Sequence, residues 1–284
     1  MSKGKEGLNG KRMIIIGNSY VFYGCAVEHK KRTDLTQASR ENDRGYFYQL
    51  CRLNGIDVSI TNWTFGGHGL YHMFGSPCSF HKECKGERHE DYLLDRYYDY
   101  VVISPSGGKP SGERIAADFD YIMDFFRKAN PNVKFVCLGN LGCHGYSSFG
   151  LVVPETYEYY TTLEKKGVII ADWGKIVKGI IDKEITVPGA TEEYTKNSFI
   201  VADDGFHPNP LTGYITSLVL YRAITGEDVK GQPFAFTSNT SLNTEFDTYA
   251  YLAAHYTTGT TNYPAILASE TDVLGLQTLV DNII

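Results

Sequence analysis

No apolar stretch in this sequence approaches the roughly 20 residues that a bilayer-spanning helix needs, so no membrane span is expected. A basic stripe is missing too. Lys and Arg together number 27 against 33 acidic residues, a formal net charge of −6, and nucleic acid is not an expected partner. There is no internal repeat and no low-complexity tract, which sets repeat architectures aside. No secretory signal opens the chain. The stretch MSKGKEGLNGKR is charged and glycine-rich, and residues 1–11 read as a flexible lead-in. That opening fits a cytosolic chain, and equally the stub left when a signal is removed.

What is present is a chain of 284 residues, 42% apolar and 13% aromatic, enough to bury a sizeable core. Tyr is abundant at 21 while Lys is modest, which favours a secreted or cell-surface, carbohydrate-facing protein by correlation. Six cysteines occur. Cys51 and Cys137 sit inside apolar segments and read as small buried hydrophobes. Cys78 and Cys84 lie close together in a polar loop and are the one candidate pair for a bridge, with an ordinary polar loop as the alternative.

Five short apolar, β-branched runs recur: Met13 to Gly17, Val58 to Trp63, Tyr100 to Ser104, Val133 to Leu138 and Gly167 to Ala171. Each reads as a strand buried on both faces. Helical patterns lie between or after most of them. Ser39 caps one that carries Tyr46, Leu50 and Leu53 inward and stops at Gly55. Ile115, Phe119, Ile122 and Phe126 mark a second, ended by Pro131. Pro154 opens a third, through Tyr157, Tyr160 and Leu163, and Leu211, Ile215, Leu218 and Val219 mark a fourth. Ser269 with Asp272 resembles a capping box before Val273, Leu276, Val280 and Ile283. Alternating strands and helices predict an α/β fold with a parallel sheet covered on both faces. Residues 12–284 read as one domain. Within it, the polar stretch 227–262 and the last helix form an extension, 227–284, packed on the rest.

The first strand ends abruptly in MIIIGNSYVFYG. Ser19, just past its carboxyl end, reads as a helix cap, a phosphate ligand or a nucleophile. In open parallel sheets, function collects at that end of the strands. A phosphate ligand fits poorly, because the loop lacks a glycine-rich cradle. A serine nucleophile needs a base, and the base an orienting partner. ADDGFHPNPLTGY supplies both: Asp204 and His207 are three apart with Gly205 between. Pro208 and Pro210 stiffen the loop. Asp203 is the reserve carboxylate.

GNSY in place of GDSL, followed late by DGFH, resembles the SGNH/GDSL hydrolase superfamily, over roughly residues 12 to 225. That resemblance implies a flavodoxin-like three-layer α/β/α fold with five parallel strands and a Ser19–His207–Asp204 triad. It implies no cofactor. The second block, a glycine after the second strand, falls in NWTFGGHGL at Gly67, with Gly66 its neighbour. The oxyanion is then held by the amides of Ser19 and Gly67. The third block departs. Where the family shows Gly-x-Asn-Asp, this chain reads YDYVVISPSGGKPSG, with Ser106 at the place of the Asn. Candidate substitutes are the Ser106 hydroxyl, the amides of Gly107 and Gly108, and Asn140 after the fourth strand. One lost oxyanion donor costs an acyl-transfer enzyme about 10² to 10³ in rate.

Bland readings stand beside these. Ser19 and Asp204 are also the residue types that cap helices, and Gly66-Gly67 also suits a tight turn. His68, His72, Cys78, His81, Cys84 and His89 crowd one loop, but their spacing matches no zinc pattern, and no metal is expected. His68 follows the oxyanion glycine and is the expected substrate contact. Cys143-His144 is set aside as a thiol dyad, because adjacent residues rarely reach reaction geometry. The sequons at Asn62 and Asn239 carry no function, and Asn62 lies in a buried strand. The expectation is a serine ester hydrolase for small acyl groups, acetyl first, on a small-molecule or carbohydrate ester. A non-catalytic carbohydrate-binding module and an acyltransferase with the same triad are the alternatives. No oligomeric state is assigned.

Overall fold

The computed structural model describes residues 2–28, 37, 40–66, 69–70, 74, 90, 93–105, 112–144, 156–200, 207–234 and 268–284. Helix α1 (Lys3–Leu8) leads into β1 (Lys11–Gly17), which is followed by the short helix α2 (Ser19–Phe22). Then come α3 (Tyr46–Leu53), β2 (Val58–Thr64), β3 (Tyr100–Ile103) and α4 (Gly112–Arg127). Strand β4 (Lys134–Gly139) runs into a 3₁₀ turn (Leu141–His144), and α5 (Thr156–Lys165) precedes β5 (Ile169–Asp172). Helices α6 (Trp173–Ile181), α7 (Lys196–Phe199), α8 (Pro210–Thr225) and α9 (Glu270–Ile283) complete the chain.

The five strands are all parallel, in the order β2-β1-β3-β4-β5. Parallel pairing goes with burial on both faces. Along β1, Met13 and Ile15 face one helix layer while Ile14 and Ile16 face the other, and all four are at most 1% exposed. The first face packs on α1, α3, α6, α8 and α9, with Leu8, Phe47, Trp173, Ile215 and Leu276 among its members. The second packs on α4 and α5, through Phe119, Ile122, Phe126 and Leu163. This is the flavodoxin-like three-layer α/β/α arrangement. The chain turns from β1 outward to β2 and then crosses to β3 on the other side. The carboxyl ends of β1, β2 and β3 therefore meet at a topological switch point, where open sheets place their ligands.

Several expectations need correction. The lead-in is not flexible throughout. Ser2 caps α1, Leu8 is fully buried, Gly4 lies close against Thr225 O, and the Tyr100 hydroxyl donates to Gly7 O at 3.2 Å. Helix α3 begins after Gly45 rather than at Ser39, which lies outside the described residues. Gly45 is the N-cap and the helix start has no side-chain cap; Asp43 accepts the Gly45 N–H at 2.9 Å and shapes the turn that enters the helix. Helix α6 was not anticipated. Asp172 ends β5 and at once caps α6, accepting the Lys175 N–H at 3.2 Å, so no loop separates the two.

The last helix stands as expected, with Ser269 Oγ accepting the Asp272 N–H at 3.1 Å. Residues 229–231 dock on it. Asp281 accepts the N–H groups of Val229 and Lys230, and Gln277 accepts that of Gly231. Residues 235–267 lie outside the described set. No described helix is long and apolar enough to cross a membrane.

Candidate active site

The turn after β1 is built by three residues with distinct tasks. Gly17 admits a close approach: a Cβ there would lie 2.8 Å from Val21 Cγ2 and 3.1 Å from Ser104 Cβ. Asn18 is extended, and its side chain accepts the Tyr20 N–H at 3.0 Å, capping α2. Ser19 is thus freed from capping and opens the helix, 8% exposed. Neighbouring strands fix this turn. The Phe65 N–H donates to Gly17 O at 3.0 Å, and the Ser104 N–H to Ile16 O at 2.8 Å.

His207 comes from the other end of the chain. Its loop is held by main-chain and side-chain bonds together. Ile200 bridges Pro208, and the Asn209 N–H donates to Phe199 O at 2.9 Å. Asn209 then caps α8 through Thr212, and Pro210 takes the first turn, where a missing N–H costs nothing. The His207 ring lies on α2. It stacks on Tyr23 with centroids 3.8 Å apart and planes 12° apart, and it is tilted against Tyr20 at 6.1 Å. The two backbones touch behind it. A Cβ on Gly213 would lie 1.5 Å from Gly24 O, and one on Gly24 would lie 2.8 Å from Asn209 O. The helix begun by Ser19 and the helix that follows His207 thus meet at a pair of glycines.

Of the other expected site residues, Asp204, Asp203, Gly67, His68 and Ser106 lie outside the described residues, as do Gly107 and Gly108. The bridge proposed between Cys78 and Cys84 and the histidine-rich loop lie there too. Asn140 is described, and its amide is committed. It donates to Ser104 Oγ at 3.0 Å and to Pro105 O at 2.8 Å, while its oxygen accepts the Gly142 N–H at 2.9 Å. Asn140 ties the end of β3 to the end of β4, a brace rather than a free donor.

Three features escaped the sequence reading. His144 Nε2 lies 2.8 Å from Asp172 Oδ2 in a buried pair. Cys143 turns away from that pair toward Pro105 O and Asn140 Oδ1. Burial, and secondarily Asp172, pushes its thiol up to about 12, so it is no thiolate nucleophile. Arg40 is fully buried. It donates to Thr64 O at 2.8 Å and lies 4.0 Å over the Phe65 ring, just before Gly66. Tyr23 was passed over because nothing in its spacing from Ser19 foretells which ring His207 meets.

No family model matches this sequence, and no curated protein matches it. Solved structures do. A DUF4886 family protein from Bacteroides uniformis superposes with a TM-score of 0.50 at 13% identity, over 96% of this chain and 93% of that one. A protein described as a GDSL-like lipase from Parabacteroides merdae gives 0.49 at 14% identity, over 77% and 97%. A mutant acetyl-xylooligosaccharide esterase from Geobacillus gives 0.48 at 10% identity, over 78% and 96%. At such identity the likeness is one of fold.

Proposed function

We propose that this protein is a serine ester hydrolase. The observation that carries the reading is the stacking of the His207 ring on Tyr23, the residue that caps the end of the four-residue helix Ser19 opens. On this reading His207, from the far end of the chain, is the base for the serine of the GNS block. In this reading Ser19 attacks an ester carbonyl and His207 takes its proton, later returning one to the leaving alcohol. Asp204 holds the imidazole tautomer and stabilises the imidazolium. The amides of Ser19 and Gly67 hold the oxyanion, with the Ser106 hydroxyl or a neighbouring amide as third donor. No step needs a cofactor. The motif resemblance supports small acyl groups, acetyl first, on dissolved carbohydrates, with His68 against the substrate and a secreted or cell-surface setting.

A second reading has its own observation. The third block lacks its Asn, and the Asn140 amide is already spent on Ser104 and Pro105. That favours a non-catalytic carbohydrate-binding module on the same fold.

Hydrolysis of p-nitrophenyl esters of increasing acyl length, with Ser19→Ala alongside, separates the two. The esterase reading expects rates that fall with acyl length, and a loss of about 10³-fold or more in Ser19→Ala. A fluorophosphonate should label the wild type and not the variant. Equal background rates in both proteins, with no labelling, would overturn it in favour of the binding module.

A further inference from the structure

We propose that Tyr23 is a positioning residue for His207, fixing the plane of the imidazole above the serine turn. This rests on the esterase reading and deepens it. An imidazole held by a single carboxylate hydrogen bond can still swing about that bond. A face contact removes the swing, because a ring lying flat on another cannot rotate without lifting off. The His207 and Tyr23 planes are 12° apart with centroids at 3.8 Å, a stack rather than a glancing contact.

The platform is itself fixed. The Tyr23 N–H donates to Ser19 O at 3.1 Å, so the stacking ring and the nucleophile share one turn of backbone. The Phe22 ring, 4% exposed, lies 5.5 Å from that of Tyr23 and tilted by 33° to it. Beyond it the chain turns sharply, with Cys25 at φ +64, and Cys25 O accepts the Tyr46 N–H at 2.8 Å. On the other side, contact between Gly24 and Gly213 sets how far the His207 loop stands from α2. Stacking uses the face of the phenol and not its hydroxyl, so Phe should serve in its place. That face, occupied by His207, is also withdrawn from any sugar ring. Misplacing a catalytic group by about 1 Å costs up to 10²-fold in rate, which is the scale on which such a platform acts.

The test uses the full chain with Tyr23→Phe and Tyr23→Leu. His207 is followed by NMR of its ring carbon-bound protons, assigned with His207→Gln, and esterase kinetics and fluorophosphonate labelling run in parallel. Expected in Tyr23→Leu is a downfield move of the His207 resonance as the shielding ring is lost. With it, kcat and the labelling rate should drop about three- to tenfold, with KM unchanged, the range set by an aromatic pair. Tyr23→Phe should restore all three. An unmoved resonance in Tyr23→Leu would overturn the stack. A moved resonance with unchanged kcat and labelling would overturn its positioning role. A wild type that neither turns over ester nor labels would overturn the esterase reading and this role with it, and the resonance would then report only a structural stack.

Discussion

His144 and Asp172 form a buried pair, 3% and 5% exposed at their side chains, with Nε2 2.8 Å from Oδ2. The carboxylate accepts, so the ring donates from Nε2. Asp172 ends β5 and caps α6, while His144 closes the 3₁₀ turn after β4. One carboxylate therefore fastens two strand ends and a helix start. Removing one partner leaves the other buried without this bond. His144→Ala should lower unfolding free energy by about 3 to 5 kcal/mol, measured by urea denaturation. Asp172→Ala should cost at least as much, since it also removes the cap. A double variant less destabilised than the sum of the two would confirm the coupling.

Gly213 gives a second prediction through its contact with Gly24. A Cβ 1.5 Å from a main-chain carbonyl has nowhere to go, and neither backbone is a flexible tip. Gly213→Ala should therefore part α8 from the serine turn and destabilise by about 3 kcal/mol, the upper end of overpacking costs. Ester hydrolysis should fall further than the folded fraction does, because the His207 loop moves with α8. Gly7 is the contrast. Nothing lies within 4 Å of a Cβ there, so Gly7→Ala in α1 should raise stability by about 0.5 to 1 kcal/mol. Thermal melts of the two variants should shift in opposite directions.

How much of this was legible beforehand divides along physical lines. All five strands could be read, because burial on both faces leaves continuous apolar runs such as Met13–Ile16 and Tyr100–Ile103. Their bounds moved by one or two residues, where polar Lys11, Thr64 or Asp172 still pairs with a neighbour. Capped helices such as α9 were legible for the same local reason. Helix α6 was not, because Asp172 serves strand and helix at once and leaves no loop signal. The serine turn and the His207 loop were readable as motifs. What holds them together was not: the Gly24–Gly213 contact, the Tyr23 stack and the Asn140 brace each join residues far apart in sequence. Nothing in the residues next to Arg40 foretells its burial, and only the fold reveals its contacts with Thr64 and Phe65.

The buried thiols make stability fall in alkali. Burial is the first cause raising Cys143 to about 12, and Cys25, Cys51 and Cys137 are pushed up by burial as well. An unfolded thiol loses its proton near about 8.5. Above that pH the unfolded chain binds fewer protons than the folded one, so unfolding becomes easier as pH rises. The contribution is fully present below about pH 8.5 and is lost as pH climbs towards 12. Buried tyrosines such as Tyr159 and Tyr214 steepen the same slope. Cys143→Ala should therefore flatten part of the stability–pH curve between about pH 9 and 12. At pH 8 a thiol reagent should leave these four cysteines unmodified in the native protein and reach them in denaturant, as peptide mass spectrometry would show.

Arg40 gives the last prediction. Its guanidinium is fully buried, donates to Thr64 O, and lies over both Phe65 and Trp63, at 4.0 and 5.6 Å. Residues beside it pair with the outer edge of β2: the Asn62 N–H donates to Arg40 O, and the Asp43 N–H to Ile60 O. The arginine thus closes the exposed side of the sheet and props the strand end that leads into Gly66. Lysine carries the charge but not the plane. It cannot cover an aromatic face while holding a carbonyl in a fixed fork. Arg40→Lys should therefore destabilise by about 2 kcal/mol, with Arg40→Met no better, because a charge-assisted bond of about 1.5 to 3 kcal/mol and a buried carbonyl partner are both lost. Urea denaturation of the two variants checks this. A lysine variant as stable as wild type would show that charge alone, not the planar stack, is what this position needs.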